Sequence, residues 1–112
     1  MNKEIQALHE MLLAQHAALF EKVGEEEDPA SARMILTEMR EILHRIDMAQ
    51  NVLFAGTSAA LAASVSKVRQ ADAKLTKAIA HAAKTSEIVK AGTDFLKGVD
   101  KALDVAKKLV IV

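Results

Sequence analysis

Ile35-Leu36-Thr37-Glu38-Met39-Arg40-Glu41-Ile42-Leu43-His44-Arg45-Ile46-Asp47-Met48-Ala49 is the stretch that decides the fold. Ile35, Met39, Ile42, Ile46 and Ala49, continued by Leu53, recur at steps of 4, 3, 4, 3 and 4. That spacing lays one apolar line along one side of an α-helix. Leu36 and Leu43 stand beside the line and widen it into the stripe expected of a helix in a globular bundle. Just upstream, Asp28 can cap the helix with its carboxylate, and Pro29 suits a first helical position, where its missing N–H had no partner anyway. The spacing predicts a helix over 30–54.

Working back toward Met1, Ile5, Leu12 and Leu19 sit seven apart, flanked by Leu8, Met11, Leu13, Phe20 and Val23. A helix over 2–23 follows, with Lys22 at its negative end and Gly24 as a left-handed cap. Glu25-Glu26-Glu27-Asp28 then reads as a solvated turn; the sharper alternative is an acidic hook for a basic partner or a divalent cation.

Working forward, Gly56-Thr57-Ser58 supplies a stop and a new cap. From Ser58 to Ala91 the chain is alanine-rich, with Leu61, Val65, Val68, Leu75, Ile79 and Ala82 on one face and Asp72 interrupting it. Uninterrupted, a helix over 58–91 would be about 33 residues, or roughly 50 Å, long. Gly92-Thr93 offers the next break, and Leu96, Val99, Leu103, Ala106 and Val110 mark a last helix over 94–110. The fold class is all-α: a single domain over 1–112, closed as an antiparallel helical bundle of three to four helices, one of them very long if unbroken.

Composition agrees. The chain has 21 Ala, one Pro, four Gly and three Phe, and no Trp, Tyr or Cys. Such a mixture favours helix over the aromatic and β-branched content of sheets. Without cysteine there is no disulfide, thiolate metal site or thiol nucleophile. Met1-Asn2-Lys3-Glu4 lacks the apolar core of a secretory leader, so a cytoplasmic location is expected.

The net charge is zero but divided: residues 1–50 hold five Lys/Arg against ten Asp/Glu, and residues 51–112 hold ten against five. A zero total argues against nucleic acid as the main partner. Mutual packing explains the two opposite halves most simply; a polybasic ligand face on the second half is the alternative.

Chemistry finds little footing. Glu41-Ile42-Leu43-His44 matches the Glu-x-x-His step of carboxylate-bridged metal bundles, but there is no second such pair. His9 and His16 lie two turns apart and cannot share an ion within one helix; both read as histidines at the core edge, with a pH-sensitive contact as the alternative. His81, between Lys77 and Lys84, reads as part of a basic face. There is no Gly-x-Ser-x-Gly turn and no phosphate-cradling glycine loop. No catalytic residue, cofactor, metal ion or small-molecule substrate is expected.

The uncharged run 48–66 is the most suggestive segment. It approaches the length of a bilayer span, yet carries Gln50, Asn51, Thr57, Ser58, Ser64 and Ser66. Ala55/Ala59/Ala63 and Gly56/Ala60/Ser64 form small-residue ladders at spacing four, a candidate interface where helices can approach closely. The tail Leu109-Val110-Ile111-Val112 is apolar and needs cover. The function expected is a non-enzymatic protein–protein interaction module: an adaptor, a chaperone-like or neutralising partner, or an assembly subunit. It would act as a homo-oligomer or on a protein partner, with the basic half of one copy meeting the acidic half of another. The alternative is a membrane-active helical protein using 48–66 and the apolar C-terminus.

Overall fold

Asn2 starts the first helix by accepting hydrogen bonds at its side-chain oxygen from the amides of Glu4 (2.9 Å) and Ile5 (3.2 Å). In the computed structural model, which describes residues 1–110, helix α1 then runs Lys3–Glu25. Ile111 and Val112 of the apolar tail lie outside the described residues. Gly24 is not the cap that its position suggested. It sits inside α1, and no residue among those described has a positive φ. Extended Glu26 (φ −84°, ψ 123°) reverses the chain instead, so no left-handed residue is needed.

Helix α2 is Pro29–Gln50, capped as expected by Asp28, whose Oδ2 accepts from the Ser31 amide at 3.0 Å. It stops four residues short of Phe54. Short-range bonds from Val52 to Ala49 and from Ala55 to Val52 tighten the backbone there, and both Val52 and Ala55 bury their side chains in the core. The chain thus turns inward to close one end of the bundle. Ser58 caps α3, which runs Ala59–His81, and α4 is Thr85–Lys107.

The very long helix does not form, and the break falls at 82–84 rather than at Gly92-Thr93. No Gly or Pro marks that point. The four helices have 23, 22, 23 and 23 residues, so each is about 34 Å long. A helix continued to Ala91 would leave its last turns without neighbours and expose Ile88, which the turn instead buries. Packing overrides local propensity. Glu87 supports the turn by accepting at Oε2 from the Ala83 amide, 3.1 Å away.

Gly92, read as a break, and Gly98 both lie inside α4, at points where other groups approach the helix closely. A Cβ at Gly92 would be 2.7 Å from Glu38 Oε2, and one at Gly98 would be 3.4 Å from Val68 Cγ2.

Among the described residues the chain therefore forms two antiparallel helical hairpins, α1/α2 and α3/α4, stacked so that α1 packs on α3 and α2 on α4. The long link 51–58 crosses the end of the bundle diagonally, from α2 to α3. The core is one continuous cluster to which every helix contributes, including Leu12, Ile42, Val65 and Phe95. Phe95, fully buried, is its largest side chain. Asp72 does not break the α3 face: Gln15 Nε2 on α1 donates to Asp72 Oδ1 and Thr76 Oγ1, both at 2.8 Å, making a polar node in the α1/α3 seam.

Candidate interaction surfaces

The six small residues do not form one ladder. Ala55 is buried in the link, and Gly56 lies beside it with its amide donating to the Leu109 carbonyl at 2.8 Å. Ala59, Ala60 and Ala63 are exposed on the first turns of α3, while Ser64 is half-buried at the α3/α4 groove. Only the last four share a helix.

Leu13, Phe20, Leu36 and Leu43 form a more pronounced apolar surface. Each follows a fully buried residue (Leu12, Leu19, Ile35 and Ile42) and lies 100° further round its helix. The expectation that Leu36 and Leu43 widen the core stripe is not met: they are 45% and 50% exposed, with Leu13 at 46% and Phe20 at 64%. Gln15, bonded to α3, and Arg45, bonded to α4, fix the flank of each helix that faces the second hairpin. The four exposed residues lie on the opposite flanks, roughly 140–180° away, along the outer α1/α2 groove. Asn2 meets Leu53 at one end of the hairpin, through its amide at 2.7 Å from the Leu53 carbonyl, and the turn 26–28 closes the other. This register sets Leu13 level with Leu43 and Phe20 level with Leu36. The patch amounts to a few hundred Å², a size at which an exposed apolar area on a monomer is often functional.

His9 and His16 are half-buried at this same seam, in keeping with core-edge histidines, and His9 Nε2 has no hydrogen-bond partner. His81 is exposed, as read.

Glu41 and His44 do not converge on a site. Glu41 is bound to Arg45 one turn along, and His44 is exposed. Arg45 also grips Asp100 on α4 with two hydrogen bonds, Nε to Oδ1 at 3.0 Å and Nη2 to Oδ2 at 3.1 Å. The Asp100 contact holds the guanidinium above its ordinary value. Beneath this network Glu38 is only 7% exposed, and its Oε2, pressed against Gly92, has no hydrogen-bond partner. Burial pushes its carboxyl pKa up, and the nearby Glu41 carboxylate adds to the rise while Arg45 opposes it. No group of three or more His, Asp or Glu among the described residues is placed to hold a metal ion.

The opposite charges of the two hairpins are not consumed by pairing. Among the described residues, the one salt bridge between hairpins joins an arginine of the acidic half, Arg45, to an aspartate of the basic half, Asp100. The lysines stay on the α3/α4 side, where Lys67, Lys74 and Lys90 line a groove over Ala71 and Ala91. The uncharged run 48–66 is divided between the end of α2, the link and the start of α3. No helix among the described residues is long and apolar enough to cross a membrane.

Sequence reading missed the α1/α2 patch, although a signal was present: Leu13/Phe20 and Leu36/Leu43 repeat at seven beside core lines that were already complete. Comparisons with protein-family models, with curated proteins and with solved structures found no match.

Proposed function

We propose that this chain is a non-enzymatic helical interaction module that self-associates through the outer face of the α1/α2 hairpin. The observation that carries the reading is the patch of Leu13, Phe20, Leu36 and Leu43, left open on two helices whose core positions are already filled. Four apolar side chains at heptad spacing on an antiparallel pair offer ridges for a second helical pair to enter, and a second copy brings the same surface by symmetry. The rim carries both signs, with Arg33 and Arg40 among Glu10, Glu21 and Asp47 at exposed positions, so contacts there can also fix register. Light scattering across micromolar concentrations tests the reading: a mass rising above 12.1 kDa is expected, and a constant 12.1 kDa refutes self-association.

A further inference from the structure

The outer face of the α3/α4 hairpin, opposite the α1/α2 patch, is a groove floored by small residues and walled by charged ones. Ser64, Ala71 and Ala78 on α3 and Ala91 and Gly98 on α4 repeat at seven along it, and all five are half-buried. They leave three hollows in line, of about 290, 260 and 310 Å³. Lys67, Ala71 and Asp94 are common to the first and second hollows, and Lys74 and Glu87 to the first and third. From Ser64 to Ala78 the groove runs roughly 21 Å, the length of four helical turns.

The charges of this groove are not balanced. All ten Lys/Arg of residues 51–112 are exposed, whereas two of the five Asp/Glu, Asp72 and Asp100, are half-buried and bonded to Gln15 and Arg45 of the first hairpin. Six lysines line the three hollows against Glu87 and Asp94, and counting Asp104, just beyond Lys101, the balance is still six to three. Glu21 and Glu25 of α1 line a separate groove with Thr76 and Ala80. None of the six lysines forms a salt bridge among the described residues. The two walls also differ. α3 contributes Lys67, Lys74 and Lys77 and, apart from Asp72, which bonds to α1, no acid. α4 alternates Glu87, Lys90, Asp94 and Lys97.

We propose that this groove binds one acidic amphipathic helix of a partner protein, with its apolar residues on the small-residue floor and its carboxylates against Lys67, Lys74 and Lys77 along α3. Charge complementarity selects the sign of the partner, and the unequal walls select its class. A phosphate backbone or an anionic bilayer presents negative charge throughout, and would meet Glu87 and Asp94 as well as the lysines. A helix can place carboxylates along one edge and neutral or basic residues along the other, as the two walls require. The floor suits the same occupant, since small residues at heptad spacing let a third helix settle between the ridges of two. The groove lies across the bundle from the α1/α2 patch, so it stays open whether or not copies meet there.

Fluorescence anisotropy tests it, with a labelled helical peptide of about 20 residues that carries alanine and leucine along one face and glutamate along one edge. The wild-type chain should bind this peptide saturably, more weakly as salt rises, and should bind its glutamine counterpart at least tenfold more weakly. Lys67→Glu with Lys74→Glu should lower the affinity at least tenfold. Ala71→Leu, which fills the floor without altering charge, should do the same, and circular dichroism should stay unchanged in both. Lys107→Glu with Lys108→Glu makes the same change in net charge away from the hollows and should stay within twofold of wild type. No binding of the glutamate peptide, equal binding of the glutamine peptide, equal losses from the two charge reversals, or tighter binding of a DNA duplex or of phosphatidylserine vesicles overturns the proposal. Self-association lost in the Lys67/Lys74 variant also overturns it, because the groove would then hold the acidic half of a second copy.

Discussion

Glu38 occupies the space that a side chain at Gly92 would need: a Cβ there would lie 2.7 Å from Glu38 Oε2 and 3.2 Å from its Cδ. The α2 carboxylate and the α4 glycine therefore form one unit. Gly92→Ala should change the wild-type bundle by less than about 1 kcal/mol, because the gain in helix propensity is offset by moving the end of the flexible Glu38 side chain. In a Glu38→Ala background nothing has to move, and the full gain of up to about 1 kcal/mol from replacing a mid-helix glycine should appear. A double-mutant cycle by urea unfolding checks this; additive effects would show that the two residues do not share the space.

The same carboxyl makes stability depend on pH. Its folded-state pKa is raised above the ordinary value of 4.5, chiefly by burial. A raised acid binds its proton more tightly in the folded chain, so it costs stability at pH values above its unfolded-state pKa. That cost disappears as pH falls through the raised folded value toward the unfolded one. Glu38→Gln should therefore be more stable than wild type at pH 7, because the neutral amide carries no charge to desolvate. The two proteins should converge near pH 4. A difference independent of pH would assign the effect to packing alone.

Adjacent residues on α2 should respond very differently to truncation. Ile42 is fully buried and Leu43 half exposed, on the outer face. Ile42→Ala should cost about 2–5 kcal/mol, whereas Leu43→Ala should stay within about 1 kcal/mol of wild type when measured on the monomer. Equal losses would mean that Leu43 is covered.

The fold was legible where local chemistry and periodicity agree. Asp28-Pro29 announces the start of α2, Ser58 the start of α3, and the Ile35–Ala49 line its core face. What sequence could not give was the turn at 82–84, because Ala82, Ala83 and Lys84 are good helix formers, and the reason to break there is the length of the partner helices. Glycine misled in two places. Gly24 continues a helix, while Gly92 marks the close approach of Glu38 and interrupts nothing. The candidate surface was misplaced for a related reason. Small residues such as Ala59 and Ala63 suggest close packing, but solvent covers them. The leucines beside the core lines looked like spare core and are surface.

Salt separates two ways for copies to meet. Joining α1/α2 faces brings together hairpins of net −5 each, counted over residues 1–50. Screening should relieve that repulsion, so association should strengthen as ionic strength rises. Docking of the basic α3/α4 half on the acidic half of another copy would weaken instead. Sedimentation at low and high salt distinguishes the two.

The central claim is that the α1/α2 patch is the contact between copies, and the mass of surface variants in solution tests it most directly. Leu13→Ser with Phe20→Ser removes apolar surface from one side of the groove and touches no fully buried residue. Ala59→Leu with Ala60→Leu alters only the exposed start of α3. Sedimentation equilibrium should give an associated wild type, a 12.1 kDa monomer for the first variant and wild-type association for the second. A first variant that associates as the wild type does, or a wild type that remains at 12.1 kDa throughout, would contradict the account.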